Sequence, residues 1–316
     1  MKRRARSFLF LPIAGGAAPA SSAACSGDQG GHGILRGSVS GSEGRTSLGR
    51  SRNFVAVENL RRYWRAAMEE LELPLPTEKL AVDPGREGGK RGVAVLVATG
   101  SFNPPTYMHL RMFELAKDEL QQRGYSVLGG YMSPVNDAYK KKGLLSAAHR
   151  IRLCELACES SSFVMVDRWE AMQKGFQRTL TVLSRIRNAL SKDGLADGGS
   201  PNVMLLCGSD LLESFSTPGV WIPDQVRTIC KDFGVICIRR EGKDVEKIIS
   251  SSEILNECRD NIISVDEIVP NQISSSRVRE CIKKCLSIKY LVCDEVIQYI
   301  GEHKLYKEAD GSDTRK

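Results

Sequence analysis

The residues best suited to phosphate chemistry stand in one short run, Thr99-Gly100-Ser101-Phe102-Asn103-Pro104-Pro105-Thr106-Tyr107-Met108-His109. Thr106 suits a helix N-cap, which would leave the first helical N–H groups pointing outward where an anion can meet them. His109, one turn in, can turn its ring to the same anion. Gly100 lets the backbone approach a ligand closely because no Cβ intervenes. Pro104 and Pro105 fix φ and stop the preceding segment from running on. The run is neither the Gly-rich dinucleotide fingerprint nor a Walker A loop. On spacing alone, a capped strand-to-helix turn with a surface histidine accounts for it equally well.

Three other clusters carry charge or hydroxyls. Tyr139-Lys140-Lys141-Lys142-Gly143 reads by itself as a solvated charge run. It follows the end of an apolar run, however, which is where an open α/β sheet binds ligands. Gly208-Ser209-Asp210 closes another apolar run, and a carboxylate there suits ribose hydroxyls, a metal's water shell or a helix cap. Ser274, Ser275 and Ser276 begin a helical segment, so their hydroxyls and N–H groups can hold phosphate, and Arg279 adds a fixed positive charge. Arg239 and Arg240 are weaker candidates for the same cradle. Trp169, Phe176 and Trp221 read either as core aromatics or as faces for a flat ring. Trp221 follows Pro218-Gly219, on a loop where it can face a ligand. His149 and His303 have no carboxylate or cysteine at the spacing of a nucleophile's base, and no triad is present.

Around these residues, strands are predicted near 93–98, 126–132, 162–167, 203–207, 233–238 and 261–266 from short apolar runs. Helices are predicted near 109–122, 146–159, 177–191, 210–215, 223–231, 244–250, 274–286 and 291–300. This alternation predicts a Rossmann-like α/β/α fold with a mostly parallel sheet and helices on both faces. Thr179 lies three residues after Phe176, one helical turn away and on the same face. No stretch approaches the roughly 20 apolar residues of a membrane helix.

The chain has 316 residues, of which 41% are hydrophobic, enough for a sizeable core. Its net charge of +7 is unevenly spread: residues 1–67 hold eleven Lys/Arg against three Asp/Glu. The remainder is almost neutral, which argues against a nucleic-acid groove in the body. Residues 1–67 read as a disordered basic extension, as a transit peptide by their Arg- and Ser-rich composition, or as a dispensable alternative start ahead of Met68. Asn53 to Glu70 could form a short amphipathic helix. Residues 68–90 read as a lead-in and Gly-rich linker, 91–307 as the folded domain, and 308–316 as a frayed tail; the loop 192–201 is expected to be mobile. Ten cysteines include no CxxC pair, and Cys154/Cys158 and Cys281/Cys285 each fall on one helix face. Reduced structural thiols, and with them an intracellular location, fit better than disulfides or a zinc site.

The run Gly100 to His109 resembles the GxFxPx(T/H)xxH signature of the nucleotidylyltransferase superfamily, and Ile273 to Arg279 resembles its second signature, ISSTxxR. Ser133 to Gly143 and Leu206 to Trp221 are similar to blocks of the eukaryotic nicotinamide/nicotinic acid mononucleotide adenylyltransferases, the plant enzymes above all. The resemblance spans about residues 68–308, in order. It implies transfer of AMP from ATP to nicotinamide or nicotinic acid mononucleotide, giving NAD or its deamido form and pyrophosphate, with Mg²⁺ on the triphosphate. It further implies that Gly100, Ser101 and Phe102 contact nucleotide through backbone groups. His109 and Arg279 would be catalytic. Thr106, Lys141, Lys142, Gly208, Asp210, Ser274, Ser275 and Ser276 would line the ATP and phosphate site. Phe176, Thr179 and Trp221 would hold the mononucleotide. Thr106 stands where other superfamily members have a first histidine, and Phe176 where animal relatives have tryptophan. A homo-oligomer, residence in cytoplasm or nucleus, and organelle import through residues 1–67 are all compatible with the family. Two rivals remain: an adenylyltransferase for pantetheine phosphate or flavin mononucleotide, and a non-catalytic nucleotide-binding or client-holding protein.

Overall fold

The computed structural model describes residues 73–81, 92–192, 201–269 and 271–307. The basic extension, the helix expected at 53–70, the Gly-rich linker, the inside of loop 192–201 and the tail lie outside the described residues. Six strands form one all-parallel sheet: β1 (Gly92–Gly100), β2 (Tyr125–Pro134), β3 (Val164–Val166), β4 (Asn202–Gly208), β5 (Val235–Ile238) and β6 (Ile262–Val265). Their order is β3-β2-β1-β4-β5-β6. The six predicted apolar runs are these six strands. Chain order reverses between β1 and β4, and in an open parallel sheet that reversal opens a crevice at the carboxyl ends of the strands.

Each strand is buried on both sides, so side chains alternate between two cores. Val95, Val97, Val203, Leu205 and Val235 join Leu183, Ile186 and Leu190 of the helix Thr179–Lys192 (α4) on one face. Ala94, Leu96, Leu206 and Ile236 join Met112, Phe113, Ala116 and Leu120 of the helix Tyr107–Gln122 (α1) on the other. A third cluster packs the helices Ala147–Cys158 (α2), Ser275–Lys283 (α9) and Asp294–Glu302 (α10) through Leu153, Val278, Val296 and Ile300. The remaining helices are Trp169–Met172 (α3), Ser209–Ser214 (α5), Pro223–Thr228 (α6), Val245–Ser250 (α7) and Glu253–Glu257 (α8). No described helix is long and apolar enough to cross a membrane.

Some elements depart from the periodicity. Two helices of five residues or fewer, α3 and α8, are too short to show a period. The helix expected over 223–231 changes after Thr228 into a π turn, Ile229–Phe233, which closes on Gly234 at φ +84°. The helix expected over 274–286 ends at Lys283, because Cys285 takes φ +54°. Cys281 and Cys285 therefore do not share a helix face, whereas Cys154 and Cys158 are both buried on α2. The nine described cysteines are free. His149 and His303 meet each other and Tyr299 in an aromatic group where α2 packs on α10.

The segment ahead of the linker packs onto this body. Tyr131 donates to the Pro76 carbonyl at 2.8 Å, and the Ala81 N–H to Leu128 at 2.8 Å. Lys79 Nζ caps the carboxyl end of α2 by donating to the carbonyls of Cys158 (2.7 Å) and Ser161 (2.8 Å).

Glycine inside β2 has a packing reason. A Cβ on Gly130 would lie 2.6 Å from the Phe113 ring, which is fully buried. The missing side chain lets α1 settle directly on the strand. Gly130→Ala should therefore destabilise the fold by about 1–3 kcal/mol, the usual cost of overpacking a filled core. Urea unfolding of the full chain measures it, and an unchanged midpoint would show that Phe113 is free to move aside.

Candidate active site

The signature loop leaves β1 at its carboxyl end, beside the reversal of strand order. Phe102 adopts φ +40°, unusual for a residue with a side chain, and its ring folds back into the core beneath α1. A Cβ on Gly100 would come within 3.3 Å of that ring. Gly100 thus also leaves room for Phe102, which approaches it from inside the protein.

Thr106 is the N-cap of α1, and His109 is the third residue of the helix. The Thr106 N–H donates to His109 Nδ1 at 3.0 Å, with Thr106 Oγ1 at 2.8 Å from the same nitrogen. An N–H can only donate, so Nδ1 is bare and the neutral ring carries its proton on Nε2. Burial, then the nearby charges of Arg240 and Lys141, lower the His109 pKa from 6.5 to about 4. The ring is a neutral donor at physiological pH. The backbone at this helix start offers less than expected. The Tyr107 N–H donates to Leu291 and the His109 N–H to Thr106, which leaves the Met108 N–H without an acceptor among the described residues, beside the imidazole.

Cations gather round this ring. Lys141 Nζ donates to Ser101 Oγ at 3.1 Å, and desolvation followed by the charge of Arg279 lowers its pKa. Lys142 is exposed, and among the described residues no hydrogen bond or ion pair holds it. Of the two arginines ending β5, Arg239 pairs with Asp266 while Arg240 turns to Asp210, Nη1 to Oδ2 2.6 Å. Gly208, the N-cap of α5, makes room for Arg240, whose Nε would stand 3.3 Å from a Cβ there. Asp210 lies in the first turn of α5 and partly neutralises the cluster.

Arg279 donates from Nη1 to the Asn103 carbonyl (2.6 Å) and from Nη2 to Ser276 Oγ (3.1 Å). Desolvation lowers its pKa, yet a guanidinium stays charged. The three serines are more occupied than their sequence suggests. Ser274 caps α9 by accepting from the Arg277 N–H, Ser275 donates to the Pro104 carbonyl at 2.7 Å, and Ser276 receives Arg279. The N–H groups of Ser275 and Ser276 have no acceptor among the described residues, and they are what this helix start can offer an anion.

Sequence reasoning passed over Asn103, the best-connected side chain of the loop. It is 1% exposed. Its Nδ2 donates to the Gly143 carbonyl (2.8 Å), and its Oδ1 accepts from Tyr306 Oη (2.9 Å) and the Leu145 N–H (3.4 Å). Arg150, fully buried, was also missed. It donates to the Leu145 carbonyl (2.8 Å) and to Asp137 (2.8 Å), fastening the lysine loop at its other edge. A buried arginine amid a helix's apolar positions is the only signal either residue gave.

The aromatic candidates separate. Phe176 is 47% exposed, and Tyr139 of the lysine loop stacks on it at 6.2 Å and 21°. Thr179 begins α4 three residues on, so Phe176 lies ahead of the helix and the two do not share a helix face. Trp169 packs against the core beneath Arg185. Trp221 is partly buried: its Nε1–H donates to Ser214 Oγ at 3.0 Å, and its ring stands edge-on to Phe215 at 4.6 Å. It therefore belongs to the α5 side of the crevice, and no described contact joins it to Phe176 or Thr179. Below the lysine loop, Glu170 is buried. Desolvation, then repulsion from Asp167, raises its pKa to about 8.

The cytidylyltransferase-like family model matches residues 97–281, from β1 through α9. A nicotinamide/nicotinic acid mononucleotide adenylyltransferase of Arabidopsis thaliana is 63% identical over 238 residues, 75% of this chain and 99% of that protein. The chain belongs to this adenylyltransferase family. A Bos taurus member is 40% identical over 255 residues, 70% of this chain and 91% of that protein. A Saccharomyces cerevisiae member is 43% identical over 220 residues, 67% of this chain but 55% of that protein, so the chain spans about half the length of the yeast relative. For a member of the mononucleotide adenylyltransferases, the geometry is informative: a neutral imidazole, one lysine and two arginines face the crevice where strand order reverses.

The histidine geometry has a direct check. In the free protein the His109 ring should show the Nε2–H tautomer by ¹⁵N-resolved NMR and titrate with a midpoint near 4. A midpoint at 6 or above would mean a solvated ring that Thr106 does not hold.

Proposed function

We propose that this adenylyltransferase joins AMP from ATP to nicotinamide mononucleotide or nicotinic acid mononucleotide, giving NAD or deamido-NAD and releasing pyrophosphate. A mononucleotide 5′-phosphate oxygen attacks the α-phosphorus of ATP. The new P–O bond forms as the bond to the bridging β-phosphate oxygen breaks, and no protein atom is covalently modified. Such a reaction asks the protein for alignment and charge neutralisation. The observation that carries this reading is the convergence of His109, Lys141, Arg240 and Arg279 at the switch point of the sheet.

In this reading His109 donates from Nε2 to the triphosphate without adding charge. Arg279, its fork oriented by the Asn103 carbonyl and Ser276, stabilises charge on the departing pyrophosphate. Lys141 sits on Ser101 at the phosphate loop, and Lys142 extends the same charge outward. Tyr139 stacked on Phe176, with Thr179 beyond, offers a face for the pyridine ring, and Trp221 supplies an aromatic surface on the α5 side. Among the described residues no group of three or more His, Cys, Asp or Glu could hold a metal. Magnesium, which keeps most of its waters and binds through substrate phosphates with one or two carboxylates, fits a site whose nearby carboxylate is Asp210. Bound to the triphosphate, it would screen negative charge.

The full chain with ATP, Mg²⁺ and nicotinamide mononucleotide should form NAD and pyrophosphate in equal amounts. His109→Ala or Arg279→Ala should lower kcat by about 10²–10³, the usual loss for one transition-state donor. Folded wild-type protein that makes no dinucleotide from either pyridine mononucleotide would overturn the assignment. Product from pantetheine phosphate or flavin mononucleotide instead would reassign the acceptor.

A further inference from the structure

Two loops meet at the pyridine end of the crevice. One follows β2 and carries Tyr139 and Lys141. The other follows α3 and carries Phe176. Between them lies the side chain of Asn136, 5% exposed. Its Nδ2 donates to the carbonyls of Ala171 (3.2 Å) and Gln173 (2.5 Å), at the end of α3 and three residues before Phe176. Its Oδ1 accepts the Ala138 N–H at 2.8 Å, and its own carbonyl accepts the Tyr139 N–H at 3.0 Å.

One amide group therefore does two separate things. The oxygen shapes the turn that aims Tyr139, and the nitrogen ties that turn to the strand of chain leading to Phe176. The site demands both a donor and an acceptor, which an amide has and a carboxylate lacks. The far side of the same loop has its own ties, Asn103 on Gly143 and Leu145 and Arg150 on the Leu145 carbonyl, while Arg150 also pairs with Asp137 inside the Asn136 turn. Lys141 thus has support beyond Asn136, whereas the Asn136 side chain is what links the Tyr139 turn to the segment ahead of Phe176.

We propose that Asn136 is a positioning residue that holds the Tyr139–Phe176 pair in register and so sets affinity for the mononucleotide while leaving the ATP site alone. This rests on the adenylyltransferase reading above. If the pair is already ordered before the mononucleotide arrives, binding does not have to order two rings and two loops.

The test uses the full chain and begins with wild-type NAD formation, whose absence would sink the functional reading and this proposal with it. In active protein, Asn136→Asp is the sharper variant, since it keeps the Oδ1 acceptor for Ala138 but turns oxygen lone pairs toward two carbonyls. Asn136→Ala removes both links. Each should raise the mononucleotide KM about tenfold, the scale of ordering two aromatic side chains on binding. The ATP KM and kcat should stay within about twofold, with the far-UV spectrum unchanged. Calorimetric titration with nicotinamide mononucleotide should show the same weakening without turnover. In a Phe176→Ala background, Asn136→Asp should add little, because the stack it positions is already gone. Equal rises in both KM values, a loss confined to kcat, or full additivity with Phe176→Ala would overturn the proposal while leaving the reaction assigned.

Discussion

The structure depends on the burial of one amide side chain in the first signature loop. Asn103 binds the lysine loop through Gly143 and Leu145, the carboxyl-terminal segment through Tyr306, and through its own carbonyl the guanidinium of Arg279. These partners come from parts of the chain about 40 to 200 residues away. A buried polar group left unpaired costs about 1–3 kcal/mol, so the satisfied arrangement is strongly preferred over one in which any partner drifts. The amide thereby enforces one relative placement of the β1 loop, the cationic loop and the α9 arginine. Ser275 on the Pro104 carbonyl adds a second tie between the same two signatures. The two motifs are distant in sequence and adjacent in function because the backbone of one is the hydrogen-bonding surface of the other.

Crowding positive charge has a consequence for the histidine. After desolvation, the charge of Arg279 lowers the Lys141 pKa, and both Lys141 and Arg240 act on His109. A second layer of cations would be self-defeating if the imidazole were also protonated. Holding Nδ1 against the Thr106 N–H fixes the tautomer and leaves Nε2–H as a donor that costs nothing in repulsion. Asp210 on Arg240 plays the complementary part, moderating a cation that would otherwise face the crevice unpaired. The charges of the cradle are individually tethered: Lys141 to Ser101, Arg240 to Asp210 and Arg279 to the Asn103 carbonyl. A triphosphate meets donors already aimed, which is the arrangement electrostatic catalysis requires.

Much of this was legible in the sequence because it follows from local rules. Both-side burial makes short apolar runs, and all six became strands. Thr106 three residues before His109 is a capping relation, and the cap is present. What escaped detection was decided at long range. Nothing near Asn103 marks it as a hub, since its partners are backbone carbonyls and N–H groups whose placement only the fold determines. The hydroxyls of Ser274 to Ser276 looked available for phosphate but are engaged by the helix itself, Pro104 and Arg279. That Phe102 and Arg240 would approach the space beside Gly100 and Gly208 was likewise visible only in the fold. The end of α9 was missed for a different reason: the left-handed turn at Cys285 is adopted by a residue whose type does not announce it.

The parallel sheet explains why so few residues suffice. β1 and β4 sit side by side and end together, so Gly100 and Gly208 deliver their loops to one crevice from opposite directions of chain winding. The β1 side brings His109 and, through β2, the lysine and tyrosine loop. The β4 side brings Asp210 and Trp221 and, through β5, Arg240. Each half is incomplete alone: the first has a neutral donor and a lysine, the second a balanced ion pair and an aromatic. Arg279 reaches across from α9 to the Asn103 carbonyl, adding the fixed charge that the first half lacks. A strand order that placed β4 beyond β3 would keep every local element and lose the site. Function in this chain is therefore a property of the reversal in strand order, and the signature residues are those that happen to stand at its mouth.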